Sequence, residues 1–226
     1  PVRVFKNAPD SLRDVWLLAA QHGDAPYFIY EDIVLTYAEA HKQVVSVAAW
    51  LTSQGVKKGD RVALGMRNYP EWAVAYWATQ CIGAVMVSLN AWWIADELKY
   101  ALSDSGATAV IVDGERQDRL SDELLAELGI TVALVARGEP RPGLTSWDEA
   151  SGNSSAVLPE VEISPDDYAT ILYTSGTTGF PKGAAGTNRN YITNIWNNRF
   201  SVALAGKMAG VAPNPAAPAK AQTVGL

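Results

Sequence analysis

Hydrophobic residues in the middle of the chain follow two alternating patterns, one typical of strands and one typical of helices. Short, nearly continuous apolar runs predict buried strands at Arg61–Met66, Ala84–Leu89, Thr108–Asp113 and Thr131–Ala136. Apolar residues at helical spacing predict intervening helices at Asn68–Gly83, Ala95–Ser105 and Arg116–Leu128. Strands with few polar residues are expected where helices cover both faces of a sheet. The pattern therefore predicts an α/β fold with a mostly parallel sheet flanked by helices.

The N-terminal part carries signals for two further helices and a hairpin. Ser11 is placed to cap a helix that runs to Gly23. The segments Tyr27–Tyr30 and Ile33–Leu35 predict a short β-hairpin. Thr36 and Glu39 have the spacing of a capping box, in which each side chain satisfies the other residue's backbone N–H, and they predict a helix to about Gln54.

A change of composition divides the chain. Residues 137–167 are rich in Gly, Pro, Ser and Asn, and they predict a linker with one short turn at Trp147–Ala150. We therefore predict an N-terminal α/β subdomain over residues 1–165 and the incomplete start of a second over 166–226. The second unit begins with a strand at Tyr168 and continues with a helix from about Asn188 to Met208, followed by a mobile Ala/Pro-rich loop over 210–221.

Composition excludes several classes of function. The chain has 226 residues, 48% of them hydrophobic, and a net charge of −6 without a basic stripe, so nucleic-acid binding is not expected. Cys81 lies in an apolar helical pattern and is interpreted as a small buried hydrophobe in a reducing compartment. His22 and His41 are not accompanied by other metal ligands, so no zinc site is expected. Because no run of about 18 apolar residues occurs, we predict a cytoplasmic protein.

The segment Tyr173–Gly183 carries the strongest candidate chemistry. It follows an apolar strand and combines four hydroxyl side chains, three glycines and Lys182. Glycines let backbone N–H groups approach an anion, hydroxyls donate hydrogen bonds, and a lysine supplies positive charge, so the segment predicts a phosphate-binding loop. It is not a Walker A motif, because Phe180 and Pro181 separate Gly179 from the lysine. The alternative is an ordinary polar hairpin.

The same residues resemble a known family. Thr174–Gly183 is similar at every position to the phosphate-loop signature of the adenylate-forming superfamily, which includes acyl-CoA synthetases and the adenylation domains of peptide synthetases. The segment Asp96–Ser105 is similar to the corresponding segment of the acyl-CoA ligase branch. Within that branch, the chain resembles the fatty-acid–CoA ligases most. One departure lies outside the loop, where Asn188 stands at a position at which the family usually has a histidine. The resemblance implies the N-terminal part of the large domain of such an enzyme.

The resemblance also implies a reaction and its participants. These are ATP, Mg²⁺, coenzyme A and a carboxylic acid, expected to be a fatty acid, which is converted to an acyl-adenylate and then to an acyl-CoA thioester. The expected ATP-binding residues are Thr174, Ser175, Gly176, Thr177, Thr178, Gly179 and Lys182. No residue of this chain is assigned as catalytic, and no residue is assigned as a metal ligand.

Motifs that the family carries further along, Tyr-Gly-x-Thr-Glu and Thr-Gly-Asp, do not occur in this sequence. We therefore interpret the chain as the N-terminal portion of a longer synthetase and expect it to be inactive alone. Two alternatives stay open. One is a nucleotide-binding or interaction module without catalysis, and the other is an enzyme that adenylates aryl or amino acids.

The tryptophans suggest where the chain packs and where it could meet a partner. Trp72 and Trp77 lie on one predicted helix among apolar residues and are interpreted as core packing. Trp92 and Trp93 follow a predicted strand in an irregular stretch. They are interpreted as a hydrophobic plug between sheet and helix, with a homodimer contact or a weak membrane-surface foothold as the alternative.

Overall fold

A central sheet with helices on both faces organises the described part of the chain. The computed structural model describes residues 3–174 and 181–210. The strands are β1 Pro26–Tyr30, β2 Ile33–Thr36, β3 Arg61–Gly65, β4 Val85–Ser88, β5 Ala109–Asp113, β6 Val132–Ala136, β7 Thr145–Ser146, β8 Tyr168–Thr174 and β9 Lys182–Thr187. The α-helices are α1 Leu12–Ala19, α2 Tyr37–Ser53, α3 Pro70–Cys81, α4 Ala95–Ser105, α5 Asp122–Glu127, α6 Trp147–Ser151 and α7 Asn188–Met208. The predicted segments beyond Gly210 lie outside the described residues.

Within the described residues, seven strands form one sheet in the order β7-β6-β5-β3-β4-β8-β9, and β1 and β2 form a separate antiparallel hairpin. All neighbouring pairs in the large sheet are parallel except β8 and β9. The mostly parallel α/β architecture predicted from the sequence is confirmed. Because β8 pairs directly with β4, residues on both sides of position 165 share this sheet. The division into subdomains at that position stays a prediction.

Alternate residues of the inner strands pack against helices on opposite faces. Val62 and Leu64 of β3 belong to a cluster that includes residues of α1, α2, α3 and α6. Ala63 of the same strand belongs to a second cluster that includes residues of α4 and α5. The strands are therefore apolar on both sides, which is the physical reason for their nearly continuous hydrophobic runs.

Aromatic side chains fill one side of the first cluster. Trp16 is fully buried and stacks on Trp77, with ring centroids 5.1 Å apart. The indole N–H of Trp77 donates to the Tyr27 hydroxyl at 2.7 Å, which ties α3 to β1. Trp72 stacks on Tyr76 one turn along the same helix, with ring centroids 5.6 Å apart. The predicted packing role of the two α3 tryptophans is confirmed, as is the burial of the Cys81 side chain.

Two predicted helices are shorter than expected. The segment after Ser11 is α-helical only to Ala19 and then tightens into a short 3₁₀ turn, although the predicted Ser11 cap is present. The predicted helix Arg116–Leu128 is wrong as a single element. It is a 3₁₀ turn and a separate α5, because the buried Leu120 is extended. The Ser121 hydroxyl then accepts from the Leu124 N–H and starts a new helix.

The predicted linker lies along the sheet rather than away from it. It contains β7, which pairs with β6, and α6, which the sequence showed only as a turn. The Ser46 hydroxyl, buried in α2, donates to the Ala150 carbonyl at 2.7 Å and accepts from the Asn153 N–H. Lys58 donates to the Glu162 carbonyl at 2.8 Å and pairs with Asp167 at 2.7 Å. These contacts hold residues 145–167 against α2 and the turn before β3, and lead the chain into β8.

None of the helices in the described residues is both long enough and apolar enough to cross a membrane.

Candidate functional site

The predicted phosphate loop is carried by the hairpin of β8 and β9. Thr174 pairs with Lys182, and Tyr173 pairs with Gly183, in antiparallel register. The structure therefore brings the first and the last of the predicted ATP-binding residues together. The other five, Ser175, Gly176, Thr177, Thr178 and Gly179, lie outside the described residues.

The hairpin opens at the edge of the sheet where ligands of parallel α/β folds bind. Because β8 is parallel to β4, its Thr174 end lies at the carboxyl ends of the parallel strands. In open α/β sheets this edge provides the binding crevices, since the strand-to-helix loops leave the backbone there free to contact a ligand. The location of the hairpin fits the phosphate-binding interpretation better than it fits the alternative, an ordinary polar surface hairpin.

Lys182 presents an available positive charge at this edge. Its side chain is exposed, and the structure gives it no ion pair with any residue in 3–174 or 181–210. The Thr174 hydroxyl lies 3.5 Å from the Lys182 carbonyl, across the mouth of the hairpin. A lysine that is not neutralised by a carboxylate can pair with an anionic ligand without first losing a protein partner.

A glycine is required next to the lysine. A Cβ atom at Gly183 would lie 2.8 Å from Cγ2 of Ile171 and 3.4 Å from the Tyr173 ring. The first distance is shorter than a carbon–carbon contact allows, so any larger residue would push β9 away from β8. The glycine that the phosphate-loop pattern contains at this position thus has a packing reason in this chain.

Helix α4 contacts both ends of the loop. The Tyr173 hydroxyl donates its one proton to the Asp104 carboxylate at 2.7 Å, and the Ala101 carbonyl lies 3.1 Å from the same hydroxyl oxygen. Burial, followed by the hydrogen bond to Asp104, raises the pKa of the Tyr173 hydroxyl far above its ordinary value, so it stays protonated and acts as a donor. At the other end of the loop, the Tyr100 hydroxyl donates to the Pro181 carbonyl at 3.2 Å.

A second group of side chains lies at the same edge, between β3 and β5, and sequence reasoning missed it. The connections that leave these two adjacent strands run in opposite directions across the sheet, which is where a crevice forms. The Arg116 side chain is 2% exposed and pairs with Asp113 at 3.2 Å. Its Nη2 atom has no hydrogen-bond partner among the described residues. The one available signal was Arg116 and Arg119 three residues apart after a strand.

The two arginines hold the turn that contains Trp92 and Trp93. Arg116 and Arg119 both donate to the Ala91 carbonyl, and Arg119 also donates to the Trp93 carbonyl at 2.7 Å. Trp93 packs on the second core cluster and meets the Tyr173 ring edge-on, as the plug interpretation predicted. For Trp92 that interpretation is wrong. Its side chain is 67% exposed and lies under the Arg67 guanidinium, 4.5 Å from the ring centroid.

Asn188, the departure from the family pattern, connects three segments behind the hairpin. Its side-chain oxygen accepts from the Leu12 N–H at 2.8 Å, and its amide donates to the Asp167 carbonyl at 3.2 Å. It is buried at the start of α7, directly after β9. The residue therefore ties the end of the hairpin to α1 and to the segment that enters β8.

No metal cluster occurs among the described residues, and the cavity at the start of α7 is too small for a nucleotide. No group of three or more His, Cys, Asp or Glu side chains in 3–174 and 181–210 is placed to hold a metal ion. A cavity of about 60 Å³ lies between Phe5, Pro165 and Ile192, at the start of α7. That volume is below the roughly 300 Å³ at which ligand pockets begin. The phosphate-loop edge remains the candidate site.

Comparison with known proteins identifies the family of the chain. Residues 16–214 match the model of a family described as AMP-binding enzyme. A 4-coumarate–CoA ligase of Humulus lupulus is 30% identical over 162 residues, covering 72% of this chain and 30% of the relative. A long-chain-fatty-acid–CoA ligase of Mycobacterium tuberculosis is 34% identical over 165 residues, covering 70% of this chain and 31% of the relative. The chain thus spans about a third of the length of these curated relatives.

Solved structures show the same fold. The crystal structure of the anthranilate CoA ligase AuaEII in complex with anthranoyl-AMP matches with a TM-score of 0.76 at 22% sequence identity. The match covers 83% of this chain and 36% of that chain. The arrangement of strands and helices described above is therefore the same fold as in the matching part of that structure.

Proposed function

Because this chain belongs to the AMP-binding enzyme family, we propose that it provides the phosphate-binding part of a ligase that converts a carboxylic acid to an acyl-CoA. ATP and coenzyme A are the proposed co-substrates. The observation that carries the proposal is the loop between Thr174 and Lys182, held on a hairpin that opens at the carboxyl edge of the sheet.

The proposed reaction has two displacement steps. A carboxylate oxygen of the acid attacks the α-phosphorus of ATP, the bond to the β-phosphate oxygen breaks, and pyrophosphate leaves. The thiol of coenzyme A then attacks the acyl carbonyl, loses its proton, and displaces AMP. No protein nucleophile is needed, since the substrate carboxylate supplies the electron pair, and catalysis rests on positioning and on neutralising phosphate charge.

The residues of the phosphate loop have proposed roles in this reaction. Lys182 would pair with the terminal phosphate as a point charge, and the Thr174 hydroxyl would donate to a phosphate oxygen. The remaining donors would be Ser175, Thr177, Thr178 and the backbone N–H groups of Gly176 and Gly179. Mg²⁺, when bound, supplies charge neutralisation between phosphate groups. Most of its protein ligands are proposed to lie outside the described residues.

The proposed substrate is a fatty acid. The segment 96–105 and the fatty-acid–CoA ligase among the relatives support this choice. An aryl acid is the second candidate, because a 4-coumarate–CoA ligase is also similar at 30% identity over 72% of the chain. A third alternative, nucleotide binding without catalysis, applies if this chain acts alone, since it spans about a third of its relatives.

The direct test is ATP–pyrophosphate exchange by this chain, with fatty, aryl and amino acids assayed in parallel. Exchange with one class of acid would identify the substrate and show a complete adenylation site. ATP binding in a calorimeter without exchange would support the module that binds nucleotide and would exclude activity of the chain alone. If the chain neither binds ATP nor catalyses exchange, the proposed phosphate site in this chain is refuted.

A matched pair of variants tests the role of the lysine. Lys182→Ala should weaken ATP binding about tenfold or more, because a charge-assisted contact of about 1.5–3 kcal/mol is lost. Lys207→Ala removes another exposed lysine, in the last turn of α7, and should leave the affinity unchanged. Equal affinities for wild type and Lys182→Ala would refute the assignment.

Three further proposals concern the location of the protein and its association with membranes and with itself. We propose a cytoplasmic location, weak association with membrane surfaces and a homodimer. The exposed Trp92 and Ile94 support a test of the second by sedimentation with lipid vesicles. Sedimentation velocity of the chain tests the third.

A further inference from the structure

One helix contacts the chain on both sides of the phosphate loop. We define the loop stems as residues 173–174 and 181–182. Each stem forms a hydrogen bond with α4. Tyr173 donates from the first stem to Asp104, and its hydroxyl oxygen lies 3.1 Å from the Ala101 carbonyl. Tyr100 donates from α4 to the Pro181 carbonyl in the second stem. Asp104 is three positions from Ala101 and four from Tyr100, so these contacts come from one side of the helix.

This helix is itself held firmly to the sheet. Leu98 and Leu102 are buried in the second core cluster. The C-terminal end of α4 stops at Gly106, whose left-handed conformation closes the helix. The Arg61 guanidinium of β3 donates to the Ser105 carbonyl at 3.0 Å and to the Gly106 carbonyl at 2.5 Å. A hydrogen bond to α4 therefore connects a loop stem to a fixed support.

The two stems differ in how much else holds them. Tyr173 is paired with Gly183 in the ladder between β8 and β9, one pair from its loop end, and its ring packs on the second core cluster and on Trp93. Pro181 precedes β9 and has no N–H to donate to the ladder. Its carbonyl contact with Tyr100 is thus an important restraint on the peptide that leads into Lys182.

We propose that Tyr100 and Tyr173 are positioning residues that hold the two loop stems on α4, and thereby place Lys182 and Thr174 for a polyphosphate ligand. Neither hydroxyl contacts the ligand itself in this proposal. The proposal rests on the proposed function for the identity of the ligand, but the restraint on the stems is independent of it.

The experiment compares single-hydroxyl deletions. Tyr100→Phe and Tyr173→Phe keep the rings and remove only the hydrogen bonds. Tyr168→Phe is the matched control on the same strand, since its side chain is 60% exposed and its hydroxyl has no hydrogen bond to any other described residue. Hydrogen–deuterium exchange is followed in a peptide that spans 181–187 and in one that spans β5.

Tyr100→Phe should speed exchange in 181–187 about fivefold, the effect of losing the hydrogen bond to the Pro181 carbonyl, about 1 kcal/mol, with no change in β5. Tyr168→Phe should leave both peptides unchanged. Unchanged exchange in 181–187 would overturn the restraint. An equal increase in both peptides would also overturn it, since that result indicates general destabilisation.

A second measurement separates positioning from structure. The affinity for Mg·ATP should fall about three- to tenfold in Tyr100→Phe and Tyr173→Phe while the melting temperature falls by no more than about 4 °C, and the affinity should not change in Tyr168→Phe. Faster exchange with unchanged ATP affinity would overturn the positioning role while leaving the phosphate site in place. If the wild-type chain binds no ATP, the positioning role and the proposed phosphate site both fail, and the exchange data report only the restraint.

Discussion

Asn188 offers the sharpest test of how the hairpin is anchored, by the change Asn188→Ala. The side chain is 3% exposed and accepts from the N–H of Leu12, which is itself 2% exposed. Because Leu12 is the first residue of α1, no turn of its own helix can satisfy that N–H once the amide is removed. The substitution also deletes the 3.2 Å hydrogen bond to the Asp167 carbonyl.

The expected loss follows from these contacts. A buried donor left without a partner costs about 1–3 kcal/mol, and the second hydrogen bond adds about 1 kcal/mol. We therefore expect Asn188→Ala to lower the free energy of unfolding by about 2–4 kcal/mol. For a chain of this size that corresponds to a melting temperature lower by about 5–15 °C.

The assay is urea and thermal unfolding followed by circular dichroism, with Asn198→Ala as the control. Asn198 is exposed on the same helix, and its side-chain amide donates a hydrogen bond to Asn194 at 3.4 Å. Alanine favours a helix more than asparagine does, so the control should be unchanged or slightly more stable. A loss below about 0.5 kcal/mol in Asn188→Ala would refute the reasoning, since it would mean that the buried N–H finds another partner at little cost.

Three other predictions follow from buried groups. Burial lowers the pKa of His41 below its ordinary 6.5 in the folded state, so the unfolded state binds the proton more tightly. The free energy of unfolding should therefore fall as the pH drops through 6.5. In urea titrations, His41→Phe should make that decline shallower. An identical decline in the wild type and the variant would contradict the prediction. Trp16→Ala should cost about 3–5 kcal/mol in the same assay, because the side chain is fully buried, whereas Trp92→Ala at a 67% exposed site should cost less than about 1 kcal/mol. Similar losses of stability in the two variants would contradict the burial of Trp16 in the first core cluster. Burial raises the pKa of the Cys81 thiol to about 12, so a disulfide reagent should label it only on unfolding, and rapid labelling of the native protein would refute its burial.

Much of the candidate site could be predicted because its signals are local. The hydroxyls, glycines and lysine of the loop are contiguous, and the apolar run before them identified β8. The structure then brought Thr174 and Lys182 into register at the mouth of the hairpin. The ATP-binding roles of all seven residues remain predictions, and five of them, Ser175 to Gly179, lie outside the described part of the chain.

What was missed depends on contacts between distant residues. The hydrogen bond from Tyr173 to Asp104 spans 69 residues, and the one from Leu12 to Asn188 spans 176 residues. Neither pair shares a helix turn or a hairpin, so no spacing in the sequence points to it. The exposure of Trp92 was missed for the same reason, since the arginine beneath which it lies comes from another strand end.

The sequence by itself determined the kinds of elements and most of their ends. Hydrophobic periodicity and capping depend on residues within a few positions of one another, as in the box formed by Thr36 and Glu39 that starts α2. Tertiary structure alone decided the strand order, with β3 between β5 and β4 and with β8 added beside β4. Several orders bury the same apolar strands about equally well by pattern, so the choice rests on how the helices pack over each face. That choice places α4 beside the phosphate loop and Asn188 beside α1, where local sequence cannot show their partners.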